Sequence, residues 1–264
     1  MNENEININE IILNAANIVP NVNFEKINIP VNYYGSFVVL KVNFIDKLSL
    51  NLKALIQSFL KSEYTNNENQ NTESRARYTK LEKQFEGIVA EIAIVEWLKT
   101  ILNNNTQIIR HDDVREDGFR SPADEFDIKI INPQGKEFTI EVRASVNYKY
   151  PFGENTIKFF DTIGPYNNYI KKQEKQADFY IRPLFQLKNP LGNNARICDF
   201  SLLEKFLNNE ADLYITGGAT YDLMVKKGYN TNFGQKNTSY KALKIINGLD
   251  INALEQAIHQ IVYS

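Results

Sequence analysis

A single cysteine, Cys198, stands in 264 residues, so no internal disulfide framework is possible and a reducing compartment is expected. Histidine is almost as scarce. His111 and His259 lie far apart, and with one cysteine they exclude a structural zinc site. No apolar run approaches the roughly 20 residues of a membrane span. The first residues, Met-Asn-Glu-Asn-Glu-Ile, are acidic and polar, the opposite of a secretion signal, and predict a cytoplasmic protein. No internal repeat is visible. Neither Gly217-Gly218 nor Gly228 belongs to a phosphate-loop pattern, so nothing supports a nucleoside-triphosphate site. A net charge of −2 and a pI near 5.9 argue against a simple nucleic-acid coat protein. They leave room for a local basic groove. No acidic residue occurs between Leu223 and Leu249, while Lys226, Lys227, Lys236, Lys241 and Lys244 all do.

What is present is ordinary globular composition, 43% hydrophobic and 23% charged, enough to bury a sizeable core. The pattern divides the chain into an N-terminal β-rich extension over residues 1–62 and a core over residues 75–264. Ile27 to Phe44 reads as strands broken at Tyr34-Gly35-Ser36, followed by a short helix over Leu48 to Leu60, together a separate small layer. The polar stretch Glu63 to Ser74 is a loop or linker. From Arg75 to Leu102, Leu81, Phe85, Ile88, Ile92, Val95, Leu98 and Leu102 recur at helical spacing, and the middle is apolar nearly all round. Such a helix packs inside the fold. Strand-like and helix-like segments then alternate to the C-terminus, with strands at Thr106–Arg110, Asp178–Phe185, Ala211–Gly218 and Tyr240–Ile246. A helix-like stretch ends near Ala177, a short helix spans Thr220–Lys227, and an amphipathic helix closes the chain at Ile251–Tyr263. The class is α/β with a mixed central sheet flanked by helices.

The chemistry concentrates in Phe126-Asp127-Ile128-Lys129-Ile130 and Phe138-Thr139-Ile140-Glu141-Val142-Arg143. Each alternates apolar and polar residues, as strands do. Asn132-Pro133-Gln134-Gly135-Lys136 suits a tight turn between them. Paired as a hairpin, the strands bring Asp127, Glu141 and Arg143 to one face. That face offers two carboxylate ligands for a hard divalent cation with a fixed positive charge beside it, a composition suited to phosphodiester cleavage. Mg²⁺ needs only one or two protein carboxylates, so Asp127 and Glu141 suffice, with the Val142 carbonyl as a third ligand and Mn²⁺ as a substitute ion. Glu91, embedded in the apolar helix, requires compensation for its burial, and Gly87 one turn earlier leaves clearance beside it. It is the candidate third carboxylate. The competing reading is a surface ladder with cross-strand pairs such as Asp127 with Arg143.

The order of these elements resembles the PD-(D/E)xK nuclease superfamily. The matching residues are Glu91 on the helix, Asp127 on the first strand and Glu141-Val142-Arg143 on the second, with the likeness covering roughly residues 78–185. The resemblance implies a restriction-endonuclease-like core with a mixed four- or five-stranded sheet, and Mg²⁺-dependent cleavage of double-stranded DNA by a restriction or host-defence enzyme. Cutting both strands with one site per chain implies a homodimer. Two departures are visible. The proline of the family signature is displaced to Pro122, which precedes Asp124 and makes that residue a competitor of Asp127. Arg143 stands where a lysine is usual, and an arginine cannot act as a general base. Lys129 and Lys149 are the candidate stand-ins for an amine. The alternative is a catalytically inactive DNA-binding or assembly module on the same fold. Tyr148, Lys149, Tyr150, Tyr166, Tyr169, Lys171 and Lys172 interleave aromatic and basic character as a nucleic-acid groove would.

Overall fold

The computed structural model describes residues 14, 17–33, 35–64, 77–115, 126–168, 176–233 and 238–264. Its spine is an eight-stranded, mostly antiparallel sheet. The strands are β1 (Val22–Val31), β2 (Gly35–Phe44), β3 (Gln107–Arg110), β4 (Ile128–Ile131), β5 (Glu137–Val142), β6 (Ser145–Asn147), β8 (Phe179–Leu187) and β9 (Ala211–Thr220). β7 (Asp161–Asn168) joins β10 (Tyr229–Thr231) and β11 (Thr238–Lys244) in a second, three-stranded sheet. The main sheet runs β1-β2-β9-β8-β5-β4-β3, and β6 continues alongside β8. Among the described residues only the β5–β8 and β6–β8 pairings are parallel, so the sheet is mixed, as the alternating pattern predicts.

Helices cover one face. The long α2 (Arg77–Ile101) packs with α1 (Lys47–Tyr64), α5 (Leu202–Leu207) and α7 (Ile251–Tyr263) on the sheet in one apolar core. Phe85, Ile88, Val89, Ala93, Ile94, Trp97 and Leu98 of α2 are all buried, which explains why its apolar residues do not keep to one stripe. In α7 the buried residues Ile251, Leu254, Ile258 and Val262 repeat every three or four positions, the mark of a helix with one wet face. The opposite face of the sheet is closed by the smaller sheet with α4 (Glu154–Phe159) and α6 (Tyr221–Lys227), through two smaller apolar clusters. The remaining helix, α3 (His111–Val114), is a single turn after β3.

Two expectations change. The N-terminal hairpin is not a layer of its own, because β2 pairs with β9, Leu40 lying opposite Ile215. Recruiting it makes a sheet of eight strands rather than four or five. The segment that runs up to the helix-like stretch expected before Ala177 is strand β7, Tyr166 opposite Tyr240. Its Gly164-Pro165 step favours extended backbone, since the residue before a proline is pushed out of the helical region. Residues 169–175 of that stretch, including Tyr169, Lys171 and Lys172, lie outside the described residues. So do Pro122, Asp124 and Lys236. Among the described residues no helix is long and apolar enough to cross a membrane.

Candidate active site at the open end of the hairpin

The β4–β5 hairpin has the register its sequence predicts. Ile128 lies opposite Ile140 and Ile130 opposite Phe138, all four buried, while Lys129, Thr139 and Glu141 on the alternate positions are half-buried. The turn closes on Asn132, whose Oδ1 accepts from the backbone N–H groups of Gln134 and Lys136 at 3.0 and 2.9 Å. Its Nδ2 donates to the Val262 carbonyl at 2.8 Å, tying the hairpin to α7.

At the other end, Asp127 Oδ2 accepts from the Val142 backbone N–H at 2.7 Å, so the carboxylate bridges to the strand that carries Glu141. Glu141 Oε2 pairs with Arg143 Nη2 at 3.0 Å, and the Arg143 guanidinium lies 5.7 Å from the centre of the Tyr166 ring. Asp127 is therefore tied to the backbone between Glu141 and Arg143, and Glu141 and Arg143 to each other. Lys129 is directed elsewhere, pairing with Glu137 at 2.8 Å and lying over the Phe126 ring at 4.7 Å. Lys149 lies 5.6 Å from the Tyr148 ring centre.

Beyond Val142 the ladder to β8 is interrupted for a reason visible in the sequence. The parallel register runs from Val142 opposite Ile181 to Ser145 opposite Leu184, which sets Ala144 level with Pro183. Proline has no N–H to donate and is tolerated inside sheets mainly at bulges. A register shift between Ile181 and Pro183 marks such a bulge against β9. The buried Arg182 supplies the missing donor from its side chain, Nη1 donating to the carbonyls of Arg143 and Ala144. Burial pulls this guanidinium down to about 10, against the raising influence of Glu86 and Asp161, so it stays charged at neutral pH. The gap between β5 and β6 opens onto a cavity of about 570 Å³, whose wall includes Val142, Arg143, Arg182 and, from α2, Lys83 and Gly87.

Glu91 borders this region from α2. It is buried, and a Cβ at Gly87 would sit 3.8 Å from its Oε1, which is the clearance expected there. Its direct partner is Arg110, whose Nη1 donates to Glu91 Oε2 at 3.3 Å. Burial, reinforced by the negative charges of Asp112 and Asp127, holds the Glu91 carboxyl well above the usual carboxylate range, despite the opposing pull of Lys61 and Arg110. Arg110 also donates to Gln57 and, at 3.1 and 2.6 Å, to Asp113, and Lys61 pairs with Asp112 at 3.1 Å. The network reaches Asp127 through the main chain, because the His111 N–H donates to the Asp127 carbonyl at 3.0 Å.

Asp113 gives this network a pH signature. Despite burial, Arg110 and Lys53 hold its carboxyl down at about 2, from an ordinary value of 3.8. A depressed carboxylate pKa stabilises the fold above the unfolded value, and that stabilisation is lost as pH falls toward the folded one. Asp113→Asn should therefore unfold at lower urea than the native chain at pH 6, with the difference narrowing between pH 3.8 and about 2. A difference that stayed constant across that range would sink this assignment.

Sequence reasoning missed Arg110, Asp112 and Asp113, and it missed Arg182. The signals were there: Arg110 and Asp113 are three apart, and Arg182 is the one charged residue in the largely apolar strand Phe179–Leu187. Among the described residues no group of three or more His, Cys, Asp or Glu side chains is gathered to hold a metal ion. No protein-family model matches the chain, and no solved structure matches it. The chain is similar to an uncharacterized protein of Methanocaldococcus jannaschii, 25% identical over 239 residues that cover 84% of this chain and 86% of that one.

Proposed function

We propose that the chain is a Mg²⁺-dependent DNA endonuclease on a restriction-endonuclease-like core, acting as a homodimer in restriction or host defence. The observation that supports this best is the end of the β4–β5 hairpin, where Asp127 is bonded to the Val142 N–H beside the Glu141–Arg143 pair at the edge of a large cavity. Its donor chemistry fits Mg²⁺ or Mn²⁺. The Asp127 and Glu141 carboxylates and the Val142 carbonyl are hard oxygen ligands, and two carboxylates are enough for such an ion. Bound there, the ion would supply an activated water and charge stabilisation on the phosphate. Arg143 stays protonated and takes up no proton; its role is to hold the phosphate and offset the negative charge that grows during reaction. Glu91 acts from the helix as a positioning group through its electrostatic coupling to Asp127.

One observation favours a second reading, a catalytically inactive DNA-binding or assembly module. Arg143 already occupies an oxygen of Glu141 that a cation would need. Incubation of the protein with plasmid and phage DNA in Mg²⁺ or EDTA, beside Asp127→Ala, separates the two. The endonuclease gives Mg²⁺-dependent fragments that Asp127→Ala abolishes while DNA binding persists. Binding without cleavage by the native chain, and cleavage appearing only in Arg143→Lys, selects the module.

A further inference from the structure

The cavity beside the hairpin carries more than the proposed hydrolysis requires. Arg182 is 4% exposed on its wall, yet among the described residues it forms no ion pair. Its Nη1 is spent on two main-chain carbonyls, and its buried Nε has no hydrogen-bond acceptor. Carboxylates on the same wall already have cations of their own. Glu86 pairs with Lys83 at 2.6 Å, and Asp161 with Lys244 at 3.0 Å. A buried guanidinium without a matching anion is costly, and the cost falls when an anionic ligand supplies one.

The cavity also has an aromatic side. Phe159, Phe233 and Tyr240 line it, and Phe159 and Phe233 leave 60% and 45% of their surface exposed. Phe233 and Tyr240 have ring centres 5.5 Å apart, and Tyr240 and Tyr166 5.9 Å apart. Tyr166 is in turn the ring beneath Arg143. A chain of rings thus runs from the exposed Phe233 to the Glu141–Arg143 pair. Exposed aromatic faces next to guanidinium groups suit a base joined to a phosphate, and stacking accepts any base because every base has a π face. A volume of about 570 Å³ lies within the usual range for ligand cavities.

We propose that this cavity binds one unstacked nucleotide, its phosphate against Arg182 and Arg143 and its base against Phe233 and Tyr240. The inference deepens the endonuclease reading by adding a subsite next to the Asp127–Glu141 pair. On a duplex, filling it requires a base to leave the helical stack, so substrate choice would favour mismatched, frayed or single-stranded DNA. The same chemistry could be met by a free mononucleotide, and the test separates these sources.

A fluorescently labelled single-stranded oligodeoxynucleotide is titrated with the full chain in EDTA, where no cleavage occurs, and its anisotropy is read. Phe233→Ala and Tyr240→Ala should each weaken binding about tenfold, the loss expected for one stacked base. Arg182→Met should do the same. Because that change can unsettle the sheet, its circular dichroism is compared with the native chain, and the exposed Phe233 carries the test if it misfolds. Displacement by dTMP, with thymidine ineffective, would identify a site that accepts the free nucleotide. Failure of dTMP to compete, with the dependence on Phe233 intact, would identify a nucleotide held within a strand. Native affinity in both folded aromatic variants, or no binding by the native chain, overturns the subsite. Mg²⁺-dependent cleavage without that aromatic dependence defeats the subsite alone. Aromatic dependence without cleavage defeats the endonuclease reading alone.

Discussion

Arg110→Met is expected to lower the unfolding free energy by about 3–5 kcal/mol, the usual cost of removing one partner from a buried ionic cluster. The guanidinium is 2% exposed and faces acceptors from three directions: Gln57 on α1, Glu91 on α2, and Asp113 on α3. Methionine fills the volume and removes every donor. Glu91 and Asp112 are then left buried with Lys61 as the remaining cation that acts on both and Arg115 as a second partner of Asp112 at 3.1 Å. Lysine should not rescue the fold, because one ammonium cannot span acceptors arranged around a planar fork. Urea denaturation would show a lower midpoint with an unchanged slope. A loss below about 1 kcal/mol, the scale of a surface ion pair, would mean that Lys53 and Lys61 already neutralise these carboxylates and that Arg110 is dispensable.

Gly217→Ala should be comparably damaging for a different reason. Gly217 sits in the β9 bulge with φ of +101°, and a Cβ there would stand 2.1 Å from the Leu249 carbonyl oxygen. That carbonyl cannot yield easily, since it accepts from the Gly218 N–H at 3.0 Å while the Leu249 N–H donates back to Gly218 at 2.8 Å. Left-handed strain and overpacking each cost about 1–3 kcal/mol, so the sum approaches the effect at Arg110. Gly135 is the natural control. Its φ is +80°, yet nothing lies within 4 Å of its added Cβ, so Gly135→Ala carries the backbone strain alone. Thermal melts of the two variants should differ clearly. Equal melting temperatures would show that the Leu249 segment moves aside and that the close approach matters little.

The elements that sequence reading reaches are those whose signals are local. Alternation in 126–130 and 138–143, with a Pro-Gly turn between, makes the hairpin and its register legible, Ile128 opposite Ile140 and Ile130 opposite Phe138. The all-round apolar middle of α2 likewise marks it as central. Pairings between distant segments leave no such trace. Nothing local in Gly35–Phe44 says that its partner will be β9, because period-two alternation encodes a face and not a neighbour. The Glu91 site shows the same limit. Its burial and the clearance at Gly87 are legible, but its partner Arg110 enters from a strand that follows the helix, and Gln57 from a helix that precedes it. Phe233, Tyr240 and Tyr166 are ordinary aromatics in sequence; only the pairing of β7 with β11 brings Tyr166 and Tyr240 together.

Main-chain ladders are indifferent to residue identity, which is why most positions in a strand can drift as long as shape and polarity are kept. At Pro183 this sheet gives up that indifference: continuity between β5 and β6 runs through the side chain of Arg182. A property normally written in the backbone is here written in one codon. Every residue of β8 is buried, so saturation mutagenesis would find its apolar positions accepting only apolar replacements of similar size. Position 182 would accept no replacement of similar size, and shortening that side chain to lysine would read as a broken strand rather than a conservative exchange.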